Sequence, residues 1–321
     1  MNKNKYKPKS YYTAKELFNR KIMDVPMFWK PFIPQKGLVG ITGSSDAGKS
    51  TLLRQLAIET CLKRSSFLGF PLNSRYGSVV YISTEDTDDA ISASLQRQAK
   101  GMDLEKINGL KFVFNEGDPK KILAEILKEE KVDLVIIDAW TDLYIGDPNN
   151  TVQVRKSLDA LSKIAQRYDC AILILHHTVK HSEKHEPNKS KVNGSQGIEA
   201  KLRSVIEIRD SCGDEKLLSI LKGNYISAEM KRNSIVLKFD EENLKFSTTG
   251  REVNIKSGGG NFKPKFKDDK EVIDRMKYLK KDTKLSISKI EVALRKEFGD
   301  ERTPSCTRIK EILSSFGRSE Q

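Results

Sequence analysis

The strongest constraint on the fold is a glycine-bracketed loop in the segment GITGSSDAGKSTLLRQLA, residues 40–57. Gly43, Gly48, Lys49 and Ser50 fit the pattern G-x-x-x-x-G-K-[ST], in which backbone N–H groups surround phosphate oxygens. Glycine is needed where the backbone turns tightly and approaches an anion without a Cβ in the way. An apolar run precedes the loop and a helical pattern follows it, so the helix N-terminus adds partial positive charge under the anion. The segment predicts a phosphate-binding strand–loop–helix unit.

The residue types of this loop predict the cofactors ATP and Mg²⁺. Lys49 is placed to contact the β- and γ-phosphates, and the Ser50 hydroxyl to ligate Mg²⁺. The residues expected to surround the nucleotide are Gly43, Ser44, Ser45, Asp46, Ala47, Gly48, Lys49, Ser50 and Thr51.

Short apolar runs rich in β-branched residues alternate with helical patterns between Leu38 and Asp240. This alternation predicts an α/β fold with a central, mostly parallel sheet. The predicted strands are Leu38–Thr42, Ser78–Ser83, Lys111–Asn115, Leu134–Asp138, Ala171–His176, Ser204–Arg209, Lys216–Leu221 and Ser234–Phe239. The last three are too close together for crossover helices, so that end of the sheet should turn antiparallel.

Two predicted strands end in carboxylates. The run KVDLVIIDAW ends in Asp138, the Walker B position, which is expected to orient the Mg²⁺ hydration shell. The run GSVVYISTED ends in Glu85 and Asp86. If its strand neighbours the phosphate-loop strand, Glu85 lies within a water molecule's reach of the γ-phosphate and serves as the catalytic base. The alternative is that the two acidic residues only cap the following helix.

A later strand delivers His176 and His177 to the same sheet edge, where one of them is expected to contact the γ-phosphate. Adjacent side chains of a strand point to opposite faces, so only one can do so. The spacing of the histidines is not that of a metal cage. The loop that follows is polar and basic, which favours a grip on a nucleic-acid backbone over a merely solvated loop. Its candidate nucleic-acid ligands are Lys180, Lys184, Lys189 and Lys191.

The net charge of +13 is concentrated at the two ends of the chain. Residues 1–22 and residues 251–321 each carry a net charge of +6, and the middle of the chain carries +1. Positive ends on a neutral body suggest contact with a polyanion such as nucleic acid, although lysines also keep termini soluble. No run approaches the ~20 apolar residues that span a bilayer, and the four cysteines form no C-x-x-C pair. We therefore expect a cytoplasmic protein with no membrane partner.

The sequence changes character after Phe246. Three consecutive glycines and several basic residues predict a flexible linker, and three short helices are predicted over Asp268–Lys281, Ser288–Phe298 and Pro304–Phe316. Ser288 and Glu291 have capping-box spacing. The helices fit either a helix-turn-helix DNA reader or a small docking bundle. We expect a basic N-terminal arm or entry segment at 1–36, an ATPase-type core at 37–250, a flexible basic linker at 251–267 and a small all-α domain at 268–321, for which a helix-turn-helix is one candidate arrangement.

Taken together, these segments resemble the RecA-like P-loop ATPases, and most closely the RepA-type hexameric replicative helicases of plasmids, phages and mobile elements. The resemblance runs from about Tyr12 to Tyr225 and rests on the order and spacing of the phosphate loop, YISTED, VIIDAW, ILILHHTVK, GSQGIEAKLRSVIEIR and KGNY. Residues 251–321 fall outside it.

The resemblance implies a ring, usually a hexamer, with ATP bound between neighbouring subunits. Glu85 matches the family's catalytic base, and the histidine pair matches its γ-phosphate sensor, for which we favour His177. Arg203 matches an arginine finger that reaches into the adjacent subunit's site, assisted by Lys222. Basic loops after Asp138 and His177 would line a channel that holds single-stranded DNA, with RNA not excluded.

The function implied by the resemblance is an ATP-dependent DNA motor, in keeping with a replicative helicase. Replication initiator, primase or mobile-element proteins are then candidate partners. Two alternatives stay open at this point. One is a RecA-like recombination or repair ATPase without unwinding activity, and the other is a nucleotide-switched DNA-binding adaptor or loader.

Overall fold

The structure is a computed structural model that describes residues 11–115, 118–147, 150–177, 196–211, 214–255, 269–281, 283, 285–299, 302–304 and 306–317. Within these residues the chain forms a nine-stranded sheet and two small two-stranded sheets. The strands are β1 Met27–Trp29, β2 Ile33–Pro34, β3 Gly37–Gly43, β4 Ser66–Phe67, β5 Phe70–Pro71, β6 Val79–Ser83, β7 Leu110–Phe114, β8 Leu134–Asp138, β9 Ala171–His177, β10 Ser204–Asp210, β11 Glu215–Gly223, β12 Asn233–Asp240 and β13 Lys245–Asn254.

The large sheet has the order β13-β12-β11-β10-β3-β9-β8-β6-β7. The strands from β10 to β7 run parallel to one another, and β11, β12 and β13 continue the sheet in antiparallel pairing. The eight predicted strands are confirmed with ends shifted by at most two residues, and so is the antiparallel turn. The α/β fold with a mostly parallel central sheet is therefore correct.

Helices cover both faces of the sheet. In the described residues they are α1 Ala14–Phe18, α2 Lys49–Cys61, α3 Asp88–Gln98, α4 Pro119–Glu129, α5 Trp140–Leu143, α6 Thr151–Tyr168, α7 Gln196–Lys201, α8 Lys270–Lys281, α9 Ile287–Phe298 and α10 Cys306–Gly317, with a 3₁₀ turn at Leu104–Ile107. One apolar core packs α2 against one sheet face, and a second packs α4, α6 and α7 against the other. The parallel strands therefore place alternate residues in the two cores, as expected for buried parallel strands.

The structure moves two expected boundaries of the core. Phe28, Trp29, Phe32 and Ile33 are buried in the core that contains α2, so the residues just before position 37 belong to the core and not to a free arm. At the other end, β13 continues to Asn254, so the first residues of the expected linker complete the sheet. Its pattern is polar on both faces after Phe246, because it is an edge strand, and this polarity made it look like a linker.

A buried carboxylate stabilises the end of the sheet at which the parallel strands begin. Asp133, which precedes β8, is 1% exposed. It accepts hydrogen bonds from the backbone N–H groups of Arg75, Tyr76 and Gly77 at 2.8–2.9 Å and from the Ser74 hydroxyl at 3.1 Å. These contacts fasten the segment before β6 to the start of β8.

The three C-terminal helices have an apolar core of their own, formed by Val272, Met276, Leu279, Ile290, Leu294, Ile309 and Ile312. Their bounds agree with the predicted ones to within two residues. The predicted capping box is wrong, because the N-cap of α9 is Ser286 and Ser288 lies inside the helix. The choice between a helix-turn-helix DNA reader and a small docking bundle stays a prediction.

Among the residues that the structure describes, no helix has both the length and the apolar character required to cross a membrane.

Candidate functional site

The phosphate loop joins the end of β3 to the start of α2, as predicted. Gly48 has φ of 88°, in the left-handed region, and a Cβ there would lie 2.8 Å from the Phe246 ring. A Cβ on Gly43 would lie 2.3 Å from the carbonyl oxygen of Ile208. Gly43 has φ of 154°, so both positions require glycine for conformation as well as for space.

Lys49 is the first residue of α2 and is 2% exposed. Its ammonium group donates hydrogen bonds to the carbonyl oxygens of Gly43, at 3.1 Å, and Ser44. Burial lowers the pKa of Lys49, and the negative charges of Asp138, Glu85 and Asp46 oppose that change. The lysine thus lies inside the loop with three carboxylates close enough to stabilise its positive charge.

The remaining loop residues have mixed exposure. Ala47 is buried, Ser44, Ser50 and Thr51 are half-buried, and Ser45 and Asp46 are exposed. The Ser44 hydroxyl is buried and makes no hydrogen bond to any residue that the structure describes. A polar atom of this kind inside a glycine-lined loop suits an anionic ligand.

Asp138 ends β8 and is 4% exposed. Its Oδ2 accepts a hydrogen bond from the Tyr81 hydroxyl at 2.5 Å. Burial raises the pKa of Asp138, while the hydroxyls of Tyr81 and Ser50 lower it. Within the described part of the chain, the buried Oδ1 accepts no hydrogen bond of normal geometry. A carboxylate oxygen of this kind next to the Ser50 hydroxyl fits an oxygen-coordinated Mg²⁺.

Glu85 follows β6, and the premise used to place it is wrong. β6 pairs with β8 and β7, so two strands, β9 and β8, separate it from the phosphate-loop strand. Glu85 still lies near the loop, because its charge acts on both Lys49 and Asp138. The preceding residue, Thr84, donates from its backbone N–H to the Asp138 carbonyl at 2.8 Å. That contact holds the segment with Glu85 against the end of the Walker B strand.

Arg54 supports the same segment from α2. It is 5% exposed, and its Nη1 lies 3.2 Å from the Asp86 carboxylate. Its positive charge also lowers the pKa of Asp138. The alternative reading of Asp86 as a helix cap is not what the structure shows, since Thr87 is the N-cap of α3 and Asp86 pairs with Arg54.

His176 and His177 end β9 beside the phosphate-loop strand, where their partners in register are Thr42 and Gly43. His176 follows Ile172 and Ile174 in strand alternation, and those residues pack in the core on the side away from α2. The site's Asp138 and Lys49 lie on the α2 side. His176 is therefore a poor phosphate sensor, and the side chain of His177 lies outside the described residues.

Buried polar residues surround His176 on its own face. Thr42 and Glu207 lie side by side in the register of β3 and β10, and Glu207 pairs with Arg209, with Oε2 at 2.6 Å from Nε. Thr42, Glu207 and Arg209 are each less than a tenth exposed. This buried group was not predicted from the sequence, although the charged residues inside the apolar run SVIEIR indicated it.

Arg203 and Lys222 lie at the end of the sheet where the parallel strands begin, whereas the phosphate loop lies where they finish. The Arg203 backbone N–H donates to the Leu38 carbonyl at 2.8 Å, near the start of β3. Lys222 pairs in register with Val205 at the same edge and donates to the Glu199 carbonyl. The Arg203 side chain is exposed. Neither cation is brought to the phosphate loop of its own chain.

The candidate nucleic-acid ligands Lys180, Lys184, Lys189 and Lys191 lie outside the described residues. The expectation of a basic loop after Asp138 is wrong, because residues 139–154 contain no lysine or arginine. The described part of that segment carries Asp142 and Asp147 and exposes Ile145 almost completely.

The last sheet strand also contributes to the site. Gln55 in α2 donates from Nε2 to the Phe246 carbonyl at 2.9 Å and accepts from the Phe246 N–H at 2.7 Å. These bonds place the Phe246 ring against Gly48. The link joins residues 191 positions apart, so no local pattern indicated it.

Comparisons with known proteins agree with this geometry. The sequence family described as AAA domain matches residues 7–183. The DNA repair protein RadA of Brucella abortus (strain 2308) is 28% identical over 148 residues, which cover 44% of this chain and 28% of that protein. The chain thus spans little more than a quarter of that relative's length. The solved ATPase domain of G40P superposes with a TM-score of 0.53 at 14% identity, over 73% of this chain and 95% of that domain.

The family match covers more than half of the chain, and the superposition on the G40P domain supports the same fold. From these matches, and from a phosphate loop and Walker B carboxylate brought together as the pattern requires, we conclude that the chain belongs to the AAA domain family as a RecA-like P-loop ATPase.

Proposed function

We propose that this chain is an ATP-dependent DNA motor that works as a ring-forming, RepA-type helicase, with each ATP site completed by a neighbouring copy. The observation that carries the proposal is the separation of functional residues between two sheet edges. Lys49, Asp138 and Glu85 gather at the edge where β3 ends, whereas Arg203 and Lys222 lie where β3 begins. Arg203 and Lys222 are too far from their own chain's phosphate loop to contact its nucleotide, and in a ring they would act on the nucleotide of another copy.

The proposed hydrolysis uses this chain's residues as follows. Lys49 holds the β- and γ-phosphate oxygens, and the loop N–H groups orient the triphosphate. Glu85 orients a water molecule and accepts its proton as the water attacks the γ-phosphorus. Arg203 of the adjacent copy stabilises the negative charge that develops on the transferred group.

Ser50 and Asp138 would hold Mg²⁺, which when bound neutralises charge on the β- and γ-phosphate oxygens. The fit rests on the buried Oδ1 of Asp138 and on the nearby Ser50 hydroxyl. Both groups are held by secondary structure, Ser50 in α2 and Asp138 at the end of β8.

The DNA part of the proposal rests on charge and on relatives. The basic loop after His177 and the basic chain ends supply cations for a phosphodiester backbone. The curated relative is described as a DNA repair protein. Single-stranded DNA is the proposed track, a hexamer the proposed assembly, and a cytoplasmic location fits both.

The same relative favours a second function, a RecA-like repair or recombination ATPase that remodels DNA without unwinding it. The two functions differ in one assay, a forked duplex offered with ATP at low salt. Strand displacement that is lost in Glu85→Gln supports the helicase. DNA-stimulated hydrolysis without displacement supports the rival, and hydrolysis that DNA leaves unchanged refutes both.

Assembly is tested separately by native mass measurement with a non-hydrolysable ATP analogue and a single-stranded oligonucleotide. A closed oligomer that needs both ligands is expected. A monomer that hydrolyses ATP at full speed would refute the shared site.

A further inference from the structure

Tyr81 is a fully buried phenol in the middle of the apolar strand β6, with a relative exposure of 0%. A buried hydroxyl costs folding free energy unless it has a hydrogen-bond partner, and phenylalanine would fill the same space without that cost. The partner of Tyr81 in the described residues is the Asp138 carboxylate. The tyrosine therefore serves the Walker B residue and not only the core.

Strand register explains how the two groups meet. β6 and β8 are parallel neighbours in which Ser83 lies opposite Asp138 and Tyr81 opposite Ile136. Tyr81 and Asp138 thus stand two positions apart on the same face, the one covered by α2. The long phenol reaches along the strand to the carboxylate, while its ring packs against Phe112 at a centroid distance of 5.3 Å.

The hydrogen bond from Tyr81 makes the two carboxylate oxygens of Asp138 inequivalent. Oδ2 accepts the Tyr81 hydrogen bond, whereas Oδ1 is buried and accepts no hydrogen bond of normal geometry from the described residues. The Ser50 hydroxyl lies close enough to this carboxyl group to lower its pKa. A carboxylate bonded at one oxygen cannot rotate freely about its terminal bond. Groups that hold a metal-binding carboxylate in this way raise the affinity for the metal without touching it.

We propose that Tyr81 is a positioning residue for the nucleotide-associated Mg²⁺: its hydroxyl fixes the Asp138 carboxylate so that Oδ1 faces the cation shared with Ser50. This inference rests on the proposed ATPase site and adds a residue to it that no motif contains. Because Tyr81 is fully buried and bonded to the Asp138 carboxylate, it acts through Asp138.

The test is the affinity for Mg²⁺ in the full-length Tyr81→Phe protein. Binding of a fluorescent ADP analogue is titrated first in EDTA and then against increasing Mg²⁺, and bound Mn²⁺ is counted by electron paramagnetic resonance. Tyr81→Phe should weaken the metal about 10- to 100-fold. Nucleotide binding in EDTA should stay within about twofold of the wild type, because Lys49 and the loop N–H groups are untouched.

Tyr168→Phe is the matched control, because it removes a phenol hydroxyl from α6, away from the site. It should leave the metal affinity unchanged. A double-mutant cycle with Asp138→Asn adds a readout that a purely structural role would not move. If Tyr81 acts through Asp138, Tyr81→Phe should have no further effect on metal affinity once the carboxylate is gone.

An unchanged metal affinity in Tyr81→Phe would overturn the proposal, and so would an equal loss of nucleotide binding in EDTA, which indicates damage to the fold. A wild-type protein that binds no nucleotide would instead refute the ATPase site itself. Thermal unfolding of each variant confirms that the compared proteins are folded.

Discussion

Replacing Arg203 with alanine should abolish ATP hydrolysis without disturbing the chain's own nucleotide site. The Arg203 backbone is bonded to Leu38, five residues before Gly43 along β3. At a rise of about 3.3 Å per residue, that places the arginine roughly 17 Å from the phosphate loop of its own chain. A single side chain does not span this distance, so direct contact between Arg203 and a transferred phosphate requires a second copy.

The expected loss follows from the role. An arginine finger supplied by a neighbour contributes a factor of about 10³–10⁵ to turnover. Arg203→Ala should therefore reduce kcat by at least about 10³-fold, while a fluorescent ATP analogue binds as it does to the wild type. Arg64→Ala is the control, because Arg64 is an exposed residue that follows the C-terminus of α2, and this variant should retain full turnover.

Mixing experiments then decide whether the arginine acts between copies. Lys49→Ala subunits cannot bind the triphosphate properly but keep Arg203, and Arg203→Ala subunits have the converse defect. In rings formed from equal amounts of the two, about one interface in four pairs an intact loop with an intact arginine. Turnover should recover to about a quarter of the wild-type rate per site, from two proteins that are inactive alone.

Absence of recovery in mixed rings, with mixed assembly verified by native mass measurement, would refute the shared site. Full activity of Arg203→Ala alone would do so as well. Recovery far above the expected fraction would indicate that the sites do not work independently around the ring.

Three further substitutions test the site and its frame. Gly48→Ala should weaken nucleotide binding about tenfold or more, because it adds left-handed strain of about 1–2 kcal/mol and a 2.8 Å clash with an aromatic ring. Gly101→Ala is the control, since Gly101 has φ of 76° and no atom lies within 4 Å of the added Cβ. It shares the backbone strain but not the clash, and it should bind nucleotide normally. Arg54→Met should lower kcat with little change in the KM for ATP, because it removes the ion pair that holds Asp86 and the segment before α3. Arg64→Met is the control and should change neither constant. Equal effects of the two substitutions would contradict the proposed role of Arg54. Asp133→Asn should lower the free energy of unfolding, measured with denaturant, by about 2–4 kcal/mol, because the backbone N–H groups that donate to Asp133 lose a charged acceptor. A loss of kcat in the folded variant would contradict a purely structural role for Asp133.

Local pattern was enough to place the strands and the phosphate loop. The apolar runs of β3, β6, β8 and β9 are short, β-branched and bounded by polar residues, so their limits could be read to within two residues. The loop could be read equally well because the backbone geometry of phosphate binding demands glycine at fixed positions.

Strand order was not available from the same patterns. The position of Glu85 was inferred from a supposed contact between β6 and β3, and β9 and β8 in fact lie between them. Chain order does not determine which parallel strands become neighbours, because each crossover helix can carry the chain to either side of the sheet. The residue nevertheless comes near Lys49, since the carboxyl ends of all the parallel strands meet at one edge.

The role of Tyr81 was missed for a related reason. In sequence it is an aromatic residue inside VVYIS, where β-propensity and core packing explain it fully. The role of its hydroxyl can be recognised only once β6 and β8 are paired in register, because that pairing brings Tyr81 to Asp138, 57 residues away along the chain. The same holds for Phe246, whose ring covers Gly48 only because the edge strand returns to α2. Motifs thus identify the groups that touch phosphate or metal, whereas the groups that hold them in place become visible through pairing between distant strands.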